Sequence, residues 1–475
     1  MSLSSVRYIL FLAAVAAVYF LLPARMRRGF LLAASYAFYA MWQPLFCVLL
    51  AVSTLVSWLC ALGFERRWLK RDRLWIWIGA LYLFGVLFLY KYLDFFCNTA
   101  LSLMGRTADF HSGWLLPVGI SFYTFSAASY LFDVKSGKLA AEKNLADYAL
   151  FVAFFPSVLS GPINRAPKLL PQIKSPKDFS YRDMKKGLLR FTAGAVKKLV
   201  LADTLGIFVN AVYADLSARS GGVLALAAAA YSLQIYFDFS GYTDMAVGSA
   251  RILGYELPEN FRAPYLVCRV KDFWKNWHIS LTSWFRDYIY FPLGGSRVSK
   301  WRTYLNVLIV FAVSGLWHGA DGSFIIWGLL NGAYQVIGQL AEPLKIKKKT
   351  PLLSVLRCGI TFVLITVAWI FFRADTTADA LYIVRSVLLI PFRGACELSL
   401  REFIGMRQLM LAAVCTAAFA LDDLHLVRKG ESALAPLEEK SLPYWLFLAL
   451  AAAFIAVFGV YGKGFDAQSF VYFNF

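Results

Sequence analysis

Two of the chain's four histidines, His278 and His318, lie in the words FWKNWHISLTSWFRDYIYFPLGGS (273–296) and GLWHGA (315–320). An imidazole is the side chain best matched to general-base work near neutral pH. Ser314, Gly315, Gly319 and Ala320 are small enough to let a substrate approach the His318 ring closely. Arg286 and Asp287 share the first word, in strongly apolar surroundings. Ionisable groups at membrane depth are costly and persist where they serve a function. Burial alone also allows a second reading, with His318 a core histidine hydrogen-bonded to a neighbouring helix and His278 a structural histidine in a Trp-rich amphipathic segment.

If 274–290 is one regular helix, at about 100° per residue Arg286 lies roughly 80° from His278, and Asp287 lies opposite it. The two cannot then both serve the His278 pocket, and pairing with other helices or with the interface is an equal reading for them. A third cluster is YFDFSGYTDMAVGSARILGYELPENFRAPY (236–265). Asp238 and Tyr242 are four apart and share a helix face, with Asp244 two residues further on. An aspartate at that depth needs a partner or a cavity, so Asp238 is expected to support the site by orienting a histidine or binding the acceptor. Pro258, Asn260 and Pro264 read as turn elements after that helix.

The elements that must position these residues are membrane helices. Of the 475 residues, 59% are hydrophobic, 17% aromatic and only 16% charged, far more apolar than a soluble chain of this size requires. Apolar stretches of spanning length, roughly 17 to 25 residues, fall at 5–23, 29–46, 46–63, 74–95, 115–134, 187–212, 223–250, 303–320, 324–341, 351–373, 378–396, 407–424 and 442–461. The expectation is an all-α polytopic integral membrane protein with roughly 11 to 14 membrane-embedded helices. The run 146–163 is basic at both ends and interrupted by Pro156, Gly161 and Pro162. It reads as re-entrant, since broken backbone at that depth must be buried in protein or line a wet cavity. Apart from a basic, Pro-containing stretch near 164–184 no linker or repeat divides the chain, which predicts one domain over 1–475. LLPARMRR closes the first stretch without a small-residue cleavage site, as a retained helix would.

The net charge of +19 invites a nucleic-acid partner, but its distribution excludes one. Lys and Arg gather in short clusters at 25–28, 66–73, 135–143, 165–186, 297–302 and 345–349, each between apolar segments. Such clustering is the positive-inside pattern of cytoplasmic loops. It places the first two clusters in the cytoplasm, and the N-terminus and the poorly charged loop 97–113 outside. Seven scattered cysteines without C-x-x-C spacing support neither zinc nor a disulfide framework, and read as small buried hydrophobes. No metal site is expected. No G-x-S-x-G, Walker, H-E-x-x-H or G-x-G-x-x-G word is present, which removes the commonest hydrolase, NTPase, zincin and dinucleotide readings.

The words WHISL, RDYIYFPLGG and GLWHGA, with LLPVGISFYTF (115–125), FFPSVLSGPINR (154–165), the 236–265 cluster and, more loosely, the ending YGKGFDAQSFVYFNF, resemble those of the membrane-bound O-acyltransferase family. The core motifs fall within 115–332. PLGG after RDYIYF is similar to the bacterial alginate O-acetylation branch and unlike the teichoic-acid D-alanylation branch. The resemblance implies a funnel architecture in the bacterial cytoplasmic membrane, with His318 and His278 catalytic and Asp238, Tyr242, Asp244, Arg286, Asp287, Trp317 and Asn331 supporting. Asn331 in WGLLNGAY stands where the family often has a further histidine, which puts in doubt any mechanism needing a third one.

The implied reaction takes acetyl from cytoplasmic acetyl-CoA, with no permanently bound cofactor, and passes it across the membrane to an extracytoplasmic polysaccharide. His318 would act as general base or transient acetyl acceptor while His278 steadies the oxyanion. Basic loops such as 168–186 and 297–302 suit the CoA phosphates, although orientation explains the same charges. The chain lacks an outer domain large enough to grip a polymer, and its branch implies an extracytoplasmic SGNH-type acetyltransferase partner besides the surrounding membrane lipids. D-alanyl transfer or lipid acylation by the same fold stays open. A small-solute transporter and a secretion scaffold are the alternatives from other classes.

Overall fold

The computed structural model describes residues 1–68, 71–107, 109–341, 350–389 and 405–460. The basic run 345–349, Cys396 and the C-terminal word YGKGFDAQSFVYFNF lie outside the described residues. The chain divides into two compact units, 1–191 with 243–258, and 192–242 with 259–475. Among the described residues the regular structure is helical.

In the first unit the helices are α1 (Val6–Leu21), α2 (Ala24–Ala40), α3 (Pro44–Glu65), α4 (Arg73–Lys91), α5 (Leu93–Leu103), α6 (Ile120–Lys135), α7 (Leu145–Ala153), α8 (Ala166–Lys174) and the start of α9 (Tyr181–Val196). The second holds the end of α9, α10 (Asp203–Tyr213), most of α11 (Gly221–Ile252), α12 (Val270–Asn276), α13 (Ile279–Phe285), α14 (Lys300–His318), α15 (Gly322–Leu340), α16 (Pro351–Arg373), α17 (Thr377–Leu389), α18 (Met406–Lys429) and α19 (Ser441–Phe458). By length and apolarity α3, α4, α11, α16, α18 and α19 can each cross a membrane. Together they make this a multi-pass membrane protein. Of the other expected spans, 303–320 and 324–341 are the unbroken 19-residue helices α14 and α15, and 5–23, 29–46 and 115–134 are helices of 16 or 17 residues. The span 187–212 is broken by a π-helical turn, and 378–396 extends beyond the described residues.

Local chemistry explains many boundaries. Thr350 caps α16 by accepting a hydrogen bond from the Leu353 N–H, and Pro351 takes the first helical position. The run 146–163 breaks as its prolines predict. Its helix α7 has nine residues, starts on an Asn144 cap and stops before Pro156. At about 1.5 Å per residue it is far too short to cross a membrane. All of 147–164 is buried, with Arg28 paired to Asp147 at 2.9 Å and Asn164 Nδ2 donating to Ser157 Oγ at 2.6 Å.

The loop expected at 97–113 is partly helical, because α5 continues the chain beyond Tyr92. Asn98 on α5 donates to the Phe110 carbonyl and accepts from its N–H at 3.0 and 2.8 Å, folding the following segment back. The charge bias makes sidedness a testable expectation. In a cysteine-free background, a Cys replacing Arg106 should react with an impermeant thiol reagent in intact cells, and a Cys replacing Arg66 only after lysis. The reverse pattern would invert the topology.

Candidate active site

The second unit brings His278 and His318 together. Their rings lie 6.4 Å apart, centroid to centroid, and both side chains are buried. The two imidazoles are therefore close enough to serve one site.

His318 ends α14, whose position is fixed by backbone contact with α15. A Cβ on Gly315 would run into the Phe324 carbonyl, one on Gly328 into the Phe311 carbonyl, and one on Gly319 into the Phe324 ring. Gly315 and Gly319 therefore also serve helix packing. The imidazole sits edge-on to Trp327 and Phe372 at 5.0 and 5.3 Å, with Trp317 at 4.8 Å. Trp317 also lies 6.0 Å from His278, so it contacts both histidines.

His278 departs from the expected geometry. The segment 274–290 is not one helix: α12 ends at Asn276, α13 starts at Ile279, and a π-helical turn runs Arg286–Tyr290. His278 between them is left-handed, with φ 43°, a conformation that costs a non-glycine residue about 1–2 kcal/mol. Asn260 holds it there. The Asn260 carbonyl accepts from the Ile279 N–H at 3.0 Å, and its side-chain oxygen from the Ser280 N–H at 3.1 Å, satisfying donors at the start of α13. Asn260 was read only as a turn residue. Its signal was its place in a quoted word, but its partners are about twenty residues away. Asn260→Ala should destabilise the protein by about 1–3 kcal/mol and depress acyl transfer with it; an unchanged melting temperature would remove this anchoring role.

With the helix broken, the angular argument for Arg286 and Asp287 no longer applies. Arg286 Nε donates to the neighbouring Asp287 at 3.0 Å, and the Arg286 side chain is largely exposed. Asp238 is buried on α11, one turn before the buried Tyr242, and pairs with a cation that the sequence reading did not name. Its Oδ1 lies 2.7 Å from Lys198 Nζ, which is also 2.8 Å from Asp203 Oδ1. Lys198 sits in a π-helical turn, Lys197–Ala202, against which Gly241 packs so closely that a Cβ would meet the Gly194 carbonyl at 2.7 Å. Next along α11, the Phe239 ring stands edge-on to His278 at 4.7 Å, so this buried ion cluster adjoins the residue that braces the histidine. Lys198 escaped the sequence reading because it lies inside an apolar stretch counted as one span.

Asn331 is buried and joins two elements of the site. Its Oδ1 accepts from the Trp274 indole N–H at 3.2 Å, and its Nδ2 donates to the Trp327 carbonyl at 2.8 Å. Around them Trp327 stacks on Trp369 at 5.6 Å, and Trp277 lies 5.1 Å from Trp369. Asp244 belongs to the first unit, where Arg190 Nε and Nη2 both donate to it at 3.0 Å.

The chain is similar to known proteins over most of its length. The model of the MBOAT, membrane-bound O-acyltransferase family, matches residues 87–376, a range containing both histidines. The chain is 36% identical over 428 residues to the "Probable alginate O-acetylase AlgI" of Pseudomonas aeruginosa, covering 88% of this chain and 81% of that protein. It is 33% identical over 396 residues to the "Peptidoglycan O-acetyltransferase" of Helicobacter pylori, covering 78% and 75%. Against the "Teichoic acid D-alanyltransferase" of Bacillus subtilis it is 31% identical over 225 residues, 45% of this chain and 56% of that one. A multi-pass helical chain, matched by the family model over more than half its length and by relatives over most of it, belongs to the membrane-bound O-acyltransferase family and is an O-acyltransferase.

Proposed function

We propose that this protein takes an acetyl group from cytoplasmic acetyl-CoA and passes it through the bacterial cytoplasmic membrane for O-acetylation of an extracytoplasmic polysaccharide, of the alginate or cell-wall glycan kind. The observation that carries the reading is the buried His278–His318 pair, whose rings lie 6.4 Å apart, centroid to centroid. His318 removes the proton from the attacking hydroxyl, and the oxygen bonds to the thioester carbonyl carbon. The C–S bond then breaks and the proton goes to the departing thiolate. His278 steadies the oxyanion between these steps. A relay through acetylated His318 uses the same atoms in two stages.

Acetyl is favoured over D-alanyl because the relatives named for O-acetylation match most of this chain, and the D-alanyltransferase less than half. Arg297 ahead of α14 and Lys300 and Arg302 in its first turn are exposed and suit the CoA phosphates. An SGNH-type acetyltransferase outside the membrane would receive the acetyl group, the membrane chain itself holding no cofactor permanently.

The test supplies sealed membrane vesicles with acetyl-CoA carrying a labelled acetyl carbon, and in parallel with a labelled D-alanyl thioester. Label from acetyl-CoA should reach glycan on the extracytoplasmic side only when both this chain and its SGNH partner are present. Transfer from the D-alanyl thioester alone would overturn the acetyl assignment, and efficient transfer to polymer by the purified chain alone would remove the partner.

A further inference from the structure

Cys268 and Cys358 are 90 residues apart in sequence, yet their Sγ atoms lie 2.7 Å from each other in the second unit. Cys268 follows the short 3₁₀ turn Pro264–Leu266 and leads into α12, while Cys358 lies in the second turn of α16. Both are partly exposed. The Cys268 thiol also points to the Ser354 carbonyl, one turn before Cys358, at 3.4 Å. Neighbouring contacts hold the same two elements in register. Tyr265 packs edge-on to Phe362 at 5.2 Å, and the Trp369 indole donates to the Tyr265 hydroxyl at 3.2 Å.

From this we infer that Cys268 and Cys358 form a dithiol modification site, oxidised reversibly to a disulfide by a two-electron oxidant of the peroxide class. Of the described cysteines only Cys60 is fully buried, against the reading of the cysteines as small buried hydrophobes. Both thiols lose a hydrogen, one Sγ–Sγ bond forms, and hydrogen peroxide is reduced to two molecules of water. Thiol reductants reverse the step by exchange. The chain places this chemistry in a reducing compartment. Cys358 follows the basic run 345–349 by nine residues, and positive-inside bias puts that run at the cytoplasmic face. Cysteine pairs on that side are held reduced and bond transiently, typically as sensors. The bond would tie the segment that enters α12 and leads to His278 onto α16, whose far end carries Trp369 and Phe372 of the site. The inference does not depend on which acyl donor the enzyme uses.

The full-length protein, purified in detergent and reduced, contains seven thiols to titrate after denaturation. Mild hydrogen peroxide should lower that number by two, proteolysis and mass spectrometry should recover a peptide joining Cys268 to Cys358, and dithiothreitol should restore both thiols. Cys268→Ser, Cys358→Ser and the more conservative Cys358→Ala should each lose the cross-linked peptide while retaining basal acyl transfer. Phenylarsine oxide, which requires two thiols within reach of one arsenic, should bind the reduced wild type and none of the variants. Failure of both the cross-link and the arsenical to form in the wild type, or their persistence in the variants, overturns the proposal.

Discussion

His318→Ala lowers acyl transfer by on the order of 10²- to 10⁴-fold, the range expected when a general acid–base group is removed, while the protein still accumulates in the membrane. The geometry predicts this separation of effects. The His318 ring lies between Trp317, Trp327 and Phe372 at the end of a helix whose place is set by glycine contacts with α15. Those backbone contacts survive the substitution, so the fold loses packing around one imidazole and no helix loses its neighbour. Turnover of labelled acetyl-CoA, read beside the melting temperature of each variant in detergent, distinguishes lost chemistry from lost stability. A well-folded His318→Ala protein transferring acyl groups at the wild-type rate would end the assignment of His318 as base.

The second large effect falls on stability. Lys198→Met should cost about 3–5 kcal/mol, because it strands Asp203 and Asp238 without their shared buried cation, and a charge uncompensated inside a protein is far costlier than a missing surface pair. Both carboxylates lie within 2.8 Å of the ammonium, and all three side chains are buried. Asp238→Asn should be milder, since the Lys198–Asp203 pair remains and the amide keeps one acceptor. The loss should also reach the active site, because Phe239 beside Asp238 packs on His278. Activity and melting temperature should therefore fall together in the Lys198 variant, in contrast to His318→Ala. Wild-type thermal stability in Lys198→Met would show that the cluster contributes no net stabilisation.

Much of the scaffold is legible in the residues themselves. Apolar run length marked every long helix, and 351–373 agrees residue for residue with α16 because Thr350 and Pro351 are unambiguous start signals. Pro156 and Gly161 likewise announced the break after α7. The two histidines could be singled out because imidazoles are rare in this chain and each sits in a distinctive word.

Long-range pairings and local backbone departures were less visible. Nothing local distinguishes the α12–His278–α13 break from a continuous amphipathic helix, since it is imposed by hydrogen bonds from Asn260. Asp238 signalled that a buried partner must exist, but naming Lys198 requires knowing that a π-helical turn on another segment faces it. Cys268 and Cys358 carry no spacing motif, and only the packing of the Tyr265 segment on α16 brings them together.

The left-handed backbone at His278 governs how that residue should be probed. Alanine there removes the ring and also burdens every folded molecule with a conformation that alanine resists, so a dead His278→Ala enzyme would report two injuries at once. Asparagine enters the left-handed region far more readily and still offers an amide to a developing negative charge. A matched set of His278→Asn, His278→Gly and His278→Ala therefore forms an internal calibration. Glycine relieves the backbone without supplying a donor, asparagine relieves it and supplies one, and the rate ratio between those two variants measures what a hydrogen-bond donor at this position is worth to the reaction.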